Sequence, residues 1–156
     1  MNGATLVKVG LGVLAVGAVV AIGVVSGGGG GGGGGSGGVS GGKGEGGVFG
    51  GRGLEEAQRT AGERGLVVAD FTASWCAPCQ QMKKTTWRDA GVVEWMRGGA
   101  QGVVVDADAS PALVQKHQVS GLPTVILFRG EKELGRAVGY VDGPGMLNWL
   151  KATAVK

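Results

Sequence analysis

A long glycine-rich stretch divides this chain into parts that differ in their capacity to fold. More than half of the 36 glycines lie within residues 27–53, interrupted by only a few other residues. Glycine loses the most backbone entropy on ordering and brings no side chain to bury, so we expect residues 27–53 to form a flexible linker. A phosphate-binding glycine loop is the alternative, but no strand flanks the run and no Gly-Lys-Ser/Thr sequence ends it. The part able to fold is therefore residues 54–156, enough for one modest core.

The residues before the linker are almost wholly apolar. Lys8 is the single charge between Ala4 and Val25. As a helix, residues 9–25 would extend roughly 26 Å, close to the ~30 Å of a bilayer's hydrocarbon core. We therefore expect residues 1–26 to be a transmembrane anchor, with a cleaved signal peptide as the alternative. Because Lys8 precedes the apolar run, the positive-inside rule places the rest of the chain on the non-cytoplasmic side.

Charge and cysteine content exclude several classes of protein. The formal net charge is +3 and no run of Lys or Arg occurs, which gives no support for nucleic-acid binding. The two cysteines, Cys76 and Cys79, are too close together to act as a stabilising staple. With the single histidine, His117, they cannot complete the four-ligand set of a structural zinc site within one chain. We expect no metal, no other cofactor, and a redox role for the cysteine pair.

Hydrophobic patterning predicts alternating helices and strands over residues 54–156. Helices are indicated where apolar residues recur at helical spacing behind a capping residue, and strands where short β-branched runs lack that period. The predicted helices are 54–64, 76 to about 87, one capped by Asp89, a short one that begins at Ser110 and Pro111, and one capped by Asp142. The predicted strands are 66–73, 102–107, 124–128 and 134–138. This order predicts an α/β fold with a central mixed sheet and helices on both faces.

Both cysteines lie where the first predicted strand gives way to a helix, in the sequence DFTASWCAPC at residues 70–79. The free N–H groups and the dipole of a helix start favour a thiolate at Cys76, which we expect to be the exposed nucleophile. Cys79, one turn into the helix, is expected to be shielded and to resolve the mixed disulfide. Pro78 suits the first helical turn, where its missing N–H costs nothing.

Two side chains in the same segment are further candidates for the site. Asp70 lies within an apolar strand, and a carboxylate buried there is costly without a role, so we predict that it exchanges protons with Cys79. A solvated carboxylate at a strand edge is the alternative. Trp75 is expected to form a lip beside Cys76 that contacts substrate, with a simple core position as the alternative. Trp87 is expected to be a packing residue, and His117 a packing or surface residue.

A second motif, GLPT at residues 121–124, directly precedes an apolar strand. A cis bond between Leu122 and Pro123 would turn the backbone toward the dithiol. A trans turn proline is the alternative, since only about 5–6% of X–Pro bonds in folded proteins are cis.

Residues 66–150 resemble the thioredoxin-fold family. The matching features are the strand that carries Asp70, the WCAPC motif, an acidic strand end at Asp106 and Asp108, the GLPT motif, and Gly139 before the last helix. More closely, the sequence QQMKKTTW that follows Cys79 is similar to the C-terminal domain of membrane thiol:disulfide interchange reductases.

The resemblance implies a thioredoxin fold in which Pro123 is cis and packs against the active-site disulfide. It also implies that substrate contacts come from Trp75 and Pro78 and from Leu122, Pro123 and Thr124. The chain departs from the family in having Ala77 where ordinary thioredoxins have glycine, and no lysine at residues 103–105.

Together these patterns predict a membrane-tethered thiol–disulfide oxidoreductase that reduces or exchanges protein disulfides on the non-cytoplasmic side, or a secreted one if the first segment is cleaved. A disulfide oxidant or isomerase, and a Cu(I)-handling CxxC module, are the alternatives. The expected partners are disulfide-containing proteins, a thiol electron donor and, through the N-terminal helix, a membrane. We expect a monomer that binds no nucleic acid.

Overall fold

The computed structural model of the chain describes residues 48–156. The predicted anchor at residues 1–26 and the predicted linker as far as residue 47 lie outside the described residues. Within residues 48–156, no helix combines the length and the apolar character needed to cross a membrane.

Helices and strands alternate along residues 48–156, as the hydrophobic pattern predicts. The strands are β1 (Phe49–Gly50), β2 (Leu66–Thr72), β3 (Ala100–Asp106), β4 (Thr124–Arg129) and β5 (Lys132–Val138). The helices are α1 (Leu54–Ala61), α2 (Ala77–Lys84), α3 (Ala90–Arg97), α4 (Pro111–Lys116) and α5 (Gly143–Ala154), with one turn of 3-10 helix at Thr86–Arg88. The mixed α/β fold is confirmed.

The capping residues account for where the helices begin. The Asp89 carboxylate accepts hydrogen bonds from two backbone N–H groups in the first turn of α3, and Asp142 accepts one from Gly145 in α5. Both caps are as predicted. Ser110 precedes α4, but its side chain makes no capping hydrogen bond, and Pro111 in the first turn is the remaining start signal.

Two helices end earlier than predicted. The first ends at Ala61 because Gly62 takes a left-handed φ of +68°, which stops the helix before the expected residue 64. The helix that follows the cysteines ends at Lys84 instead of continuing to Trp87. Trp87 lies in the separate 3-10 turn, where Thr86 donates its hydroxyl hydrogen to the Val141 carbonyl oxygen at 2.6 Å.

The five strands form one sheet in the order β1-β3-β2-β4-β5. β1 and β2 both run parallel to β3, whereas β4 is antiparallel to its neighbours β2 and β5. β2 is therefore an interior strand, paired along both edges. Its residue Asp70 lies opposite Val104 of β3 and Val125 of β4.

Hydrophobic side chains bury both faces of this sheet. One face packs against α2, α3 and α5, and the other packs against α1 and α4. The buried members of the first cluster are Val48, Val68, Met82, Trp87, Val92, Met96, Val125, Leu127, Met146 and Leu150. Those of the second are Leu54, Ala57, Val67, Ala69, Phe71, Val103, Val105, Ile126 and Phe128.

The sheet includes residues that the sequence assigns to the linker. Val48 is buried, and Phe49 and Gly50 pair in register with Gly102 and Val103 of β3. A Cβ atom at Gly102 would overlap the Val48 carbonyl oxygen, so glycine at that position allows β1 to approach. The folded part therefore begins before Leu54, because two apolar side chains interrupt the glycine background, one of them buried (Val48) and the other partly buried against the core (Phe49).

Candidate active site

Cys76 and Cys79 form a disulfide at the start of α2, immediately after the loop that follows β2. Cys76 is the N-cap residue of the helix, and its Sγ atom accepts a hydrogen bond from the Cys79 backbone N–H at 3.3 Å. Pro78 lies in the first turn, as predicted. The sulfur of Cys76 thus lies where backbone N–H groups and the helix dipole stabilise a thiolate once the disulfide is reduced.

In this disulfide form both cysteines are shielded. Cys76 is 4% exposed and Cys79 is 3% exposed, and both pack with Ala73 and Leu122. The expected contrast between an exposed Cys76 and a shielded Cys79 is therefore not found in the disulfide form.

Trp75 lies at the surface beside the disulfide. It is 69% exposed, and its indole Nε1–H donates to the Asp108 carboxylate oxygen at 2.8 Å. Asp106, at the end of β3, in turn accepts hydrogen bonds from the backbone N–H groups of Asp108 and Ala109. The core alternative for Trp75 is wrong. The acidic strand end, noted in the sequence only as part of the resemblance, is what holds the indole in place.

The GLPT loop is also adjacent to the disulfide. The Leu122–Pro123 peptide bond is cis, as the resemblance implies, and Leu122 packs against the cysteines. The loop is held by two hydrogen bonds, from the Thr124 hydroxyl to the Gly121 carbonyl oxygen at 2.7 Å and from the Gly139 N–H to the Pro123 carbonyl oxygen at 2.8 Å. The side chains of Pro123 and Thr124 are buried, so they support the loop while Leu122 is half-buried at its surface.

Asp70 is buried beneath this surface. It is 7% exposed, and its carboxylate accepts a hydrogen bond from Trp87 Nε1–H at 2.8 Å. Burial raises the pKa of the Asp70 carboxyl to about 7, and the hydrogen bond from Trp87 opposes that rise. The alternative of a solvated carboxylate at a strand edge is wrong, because β2 is an interior strand.

A cavity of about 910 Å³ lies beside Asp70, between the residues that precede α1, the start of α4 and the edge of β3. Asp70, Thr72 and Trp87 all line it, whereas the two cysteines do not. Asp70 is thus close to solvent through a route that does not cross the surface around the disulfide.

Two further side chains, Trp87 and Gln80, have roles that local patterns do not show. Trp87, expected only to pack, also binds Asp70. Gln80 donates its side-chain N–H to the Ala73 carbonyl oxygen at 3.0 Å, which ties α2 to the loop before it. His117 packs edge-on against Phe71 and Phe128, which confirms a packing role, and burial lowers the pKa of its imidazole.

The described residues contain no group of three or more His, Cys, Asp or Glu side chains arranged to hold a metal ion. Within residues 48–156, the chemistry that the site offers is therefore that of two thiols, a helix start and a buried carboxylate.

Comparisons with known proteins agree with this site. A sequence model of the thioredoxin family matches residues 55–152. Thioredoxin from Chlamydia trachomatis is 36% identical over 89 residues, which are 55% of this chain and 80% of that protein. The thiol:disulfide interchange protein DsbD from Haemophilus influenzae is 32% identical over 106 residues, which are 63% of this chain but only 18% of that protein. Among solved structures, a mutant thioredoxin from Halobacterium salinarum has a TM-score of 0.53 and 26% identity, covering 66% of this chain and 87% of that one.

Proposed function

Since this chain belongs to the thioredoxin family and is a thiol–disulfide oxidoreductase, we propose that it reduces or exchanges protein disulfides on the non-cytoplasmic side of a membrane. The observation that carries the proposal is the position of Cys76, which caps α2 with its sulfur on the helix N-terminus, follows the exposed Trp75 and packs against Leu122.

In the reducing direction the dithiol form transfers two electrons to the substrate. The Cys76 thiolate attacks one sulfur of the substrate disulfide, forms a mixed disulfide and releases one substrate thiolate. Cys79 then gives its proton to the Asp70 carboxylate and attacks Cys76 Sγ, which breaks the mixed disulfide and releases the second substrate thiolate. The Cys76–Cys79 disulfide remains, and a thiol donor returns two electrons and two protons in the next half-cycle.

The residues between the cysteines favour reduction over oxidation. A CxxC pair is a strong oxidant when its reduced form is unusually stable. Ala77 and Pro78 add no cation or side-chain donor between the cysteines that would stabilise the Cys76 thiolate beyond the effect of the helix start. That composition supports a potential in the reducing range.

The exposed surface around the disulfide suits an unfolded or extended protein segment. Trp75 and Pro78 are exposed, and the half-buried Leu122 packs against the cysteines, supported by Pro123 and Thr124. We assign substrate contact to the first three side chains and support of the loop to the last two.

Trapping experiments test this function in the full chain. Cys79→Ser leaves the nucleophile in place and removes the resolving thiol, so substrate proteins should accumulate on Cys76 as mixed disulfides after an acid quench. Cys76→Ser, the matched control, should trap few or none. A Cu(I) carrier would instead lose metal affinity comparably in both variants and form no adducts, and that outcome would refute the oxidoreductase function in cells.

The direction is tested by the reduction potential of the Cys76–Cys79 couple. We expect a value near the roughly −270 mV of thioredoxin and far from the roughly −120 mV of a strong disulfide oxidant. A value close to the latter would reassign the protein as an oxidant.

We also propose that residues 1–26 anchor the chain in a membrane and that the glycine-rich residues up to 47 link the anchor to the domain. The support is the uncharged run at residues 9–25, preceded by Lys8. Carbonate extraction of membranes, followed by N-terminal sequencing, should find the full chain in the membrane pellet with its apolar segment intact. A soluble chain that begins near residue 27 would show that the segment is a cleaved signal.

A further inference from the structure

The hydrogen bond between Trp87 and Asp70 links a residue of the 3-10 turn to an interior strand. Trp87 Nε1 lies 2.8 Å from an Asp70 carboxylate oxygen, and the two residues are 4% and 7% exposed. Since both residues are almost fully buried, this bond is worth more to the ionised carboxylate than the same contact at an exposed position.

The indole is held in this position by its surroundings. Phe49 of β1 packs edge-on against it, with ring centroids 4.9 Å apart and an interplanar angle of 89°. The rest of the ring is buried in the hydrophobic cluster on the α3 and α5 face of the sheet. Because the indole cannot shift freely, its N–H remains directed at the carboxylate.

We propose that Trp87 is a positioning residue for Asp70, whose indole N–H stabilises the ionised carboxylate and so keeps Asp70 able to take the Cys79 proton at neutral pH. The proposal rests on the proposed function, in which Asp70 is the proton acceptor. It explains how the chain manages without a lysine at residues 103–105, where the neighbouring strand carries three valines.

Other charged side chains surround the cavity beside Asp70 but do not replace this bond. They come from the segment before α1, from α1, from α2, from the 3-10 turn and from β3, and they are Arg52, Glu55, Glu56, Arg59, Lys83, Arg88 and Asp106. Among the described residues, the hydrogen bond from Trp87 is the one interaction that lowers the pKa of Asp70 against the effect of burial.

Loss of the indole N–H should raise the pKa of Asp70 further. A hydrogen bond to a charged group is worth enough to shift a pKa by about 1–2 units. With the pKa near 7, about half of the Asp70 carboxyls are ionised at pH 7. A rise of one or two units would lower that fraction, and with it the rate at which Cys79 resolves the mixed disulfide, by roughly 5- to 50-fold at pH 7.

The test uses the reduced full chain and an aromatic disulfide whose thiolates absorb visible light. The first thiolate released reports attack by Cys76, and the second reports resolution by Cys79. Trp87→Phe should slow the second step at pH 7 and move its pH midpoint upward by about 1–2 units, with recovery at alkaline pH. Trp149→Phe, which alters another indole on the same cluster, should leave the profile unchanged.

A second replacement separates the N–H from the shape of the ring. Benzothienylalanine at position 87 keeps a fused two-ring side chain and puts sulfur in place of the N–H, so it should reproduce the alkaline shift while preserving packing. Infrared difference spectroscopy against Asp70→Asn should show the same upward shift in the titration of the Asp70 carboxyl.

An unshifted carboxyl titration in the benzothienylalanine protein would overturn the inference, as would a second step that slows equally at every pH. Failure of the proposed proton acceptor gives a different result. In that case Asp70→Asn would leave the pH profile of the second step unchanged, while the infrared titration would still report whether Trp87 controls the carboxyl.

Discussion

Replacing Asp70 by asparagine should remove a pH-dependent loss of stability from the disulfide form. Burial raises the pKa of this carboxyl from its ordinary 3.8 to about 7. Between those two values the folded chain holds a proton that the unfolded chain releases, so unfolding becomes easier as the pH rises. The stabilising contribution is complete below about pH 4 and is lost as the pH rises through 7.

The size of the effect follows from the shift in pKa. Between the two pKa values, each unit of pH lowers the free energy of unfolding by about 1.4 kcal/mol, and this dependence levels off near pH 7. From pH 5 to pH 8 the free energy of unfolding should therefore fall by about 2–3 kcal/mol on account of Asp70 alone. The lowered pKa of His117 acts in the opposite direction. Because the histidine is present in both proteins, it cancels in their difference.

The assay is guanidinium unfolding of the oxidised full chain and of Asp70→Asn at pH 5 and pH 8. Asparagine keeps an oxygen that can accept from Trp87 but cannot ionise. The difference in unfolding free energy between the two proteins should change by about 2–3 kcal/mol between the two pH values, in favour of the variant at pH 8. Glu94→Gln, at an exposed position, is the control and should show no such change. Parallel pH dependences of Asp70→Asn and the parent chain would refute the assignment of Asp70 as a buried acid with a raised pKa.

Two further substitutions test the geometry around the site. Gly102→Ala places a methyl group against the Val48 carbonyl oxygen and should displace β1, lowering the free energy of unfolding by about 1–3 kcal/mol, whereas Gly50→Ala meets no atom within 4 Å and should be nearly neutral. Equal unfolding midpoints for the two variants would contradict the packing described for β1. Asp108→Ala removes the hydrogen bond that holds Trp75 and should raise the KM for protein disulfides by roughly 2- to 10-fold. The rate with a small aromatic disulfide should not change. An equal loss of activity on both substrates would show that Asp108 acts on the cysteines and not on the position of Trp75.

Local sequence patterns predicted the parts of the site that depend on neighbours along the chain. Interactions within a few residues determine these features, which are the cysteines at a helix start, the proline in the first turn and the caps at Asp89 and Asp142. The burial of Asp70 could also be predicted from the sequence. An uninterrupted apolar strand is typical of the interior of a sheet, where a strand has no edge that faces solvent.

The remaining features depend on contacts between distant segments. The Trp87–Asp70 and Trp75–Asp108 hydrogen bonds each join an indole to a carboxylate on another element, and periodicity does not indicate such pairs. β1 was missed for a different reason. Two residues are too few to show a strand period, and the surrounding glycines hid the fact that Phe49 has an aromatic partner.

The position of β1 determines which element of the domain bears the load when the chain is pulled from its amino-terminal side. Within residues 48–156, a pull from the amino-terminal side acts on β1 before the rest of the sheet, and two pairs of residues join β1 to β3 before the chain continues to α1. β1 should therefore peel away at low force, lengthening the free chain by about 3.3 Å per residue while β2–β5 stay paired. Peeling also removes Phe49 from its packing position against Trp87. A force applied at the amino-terminal end would therefore next loosen the indole that donates to Asp70.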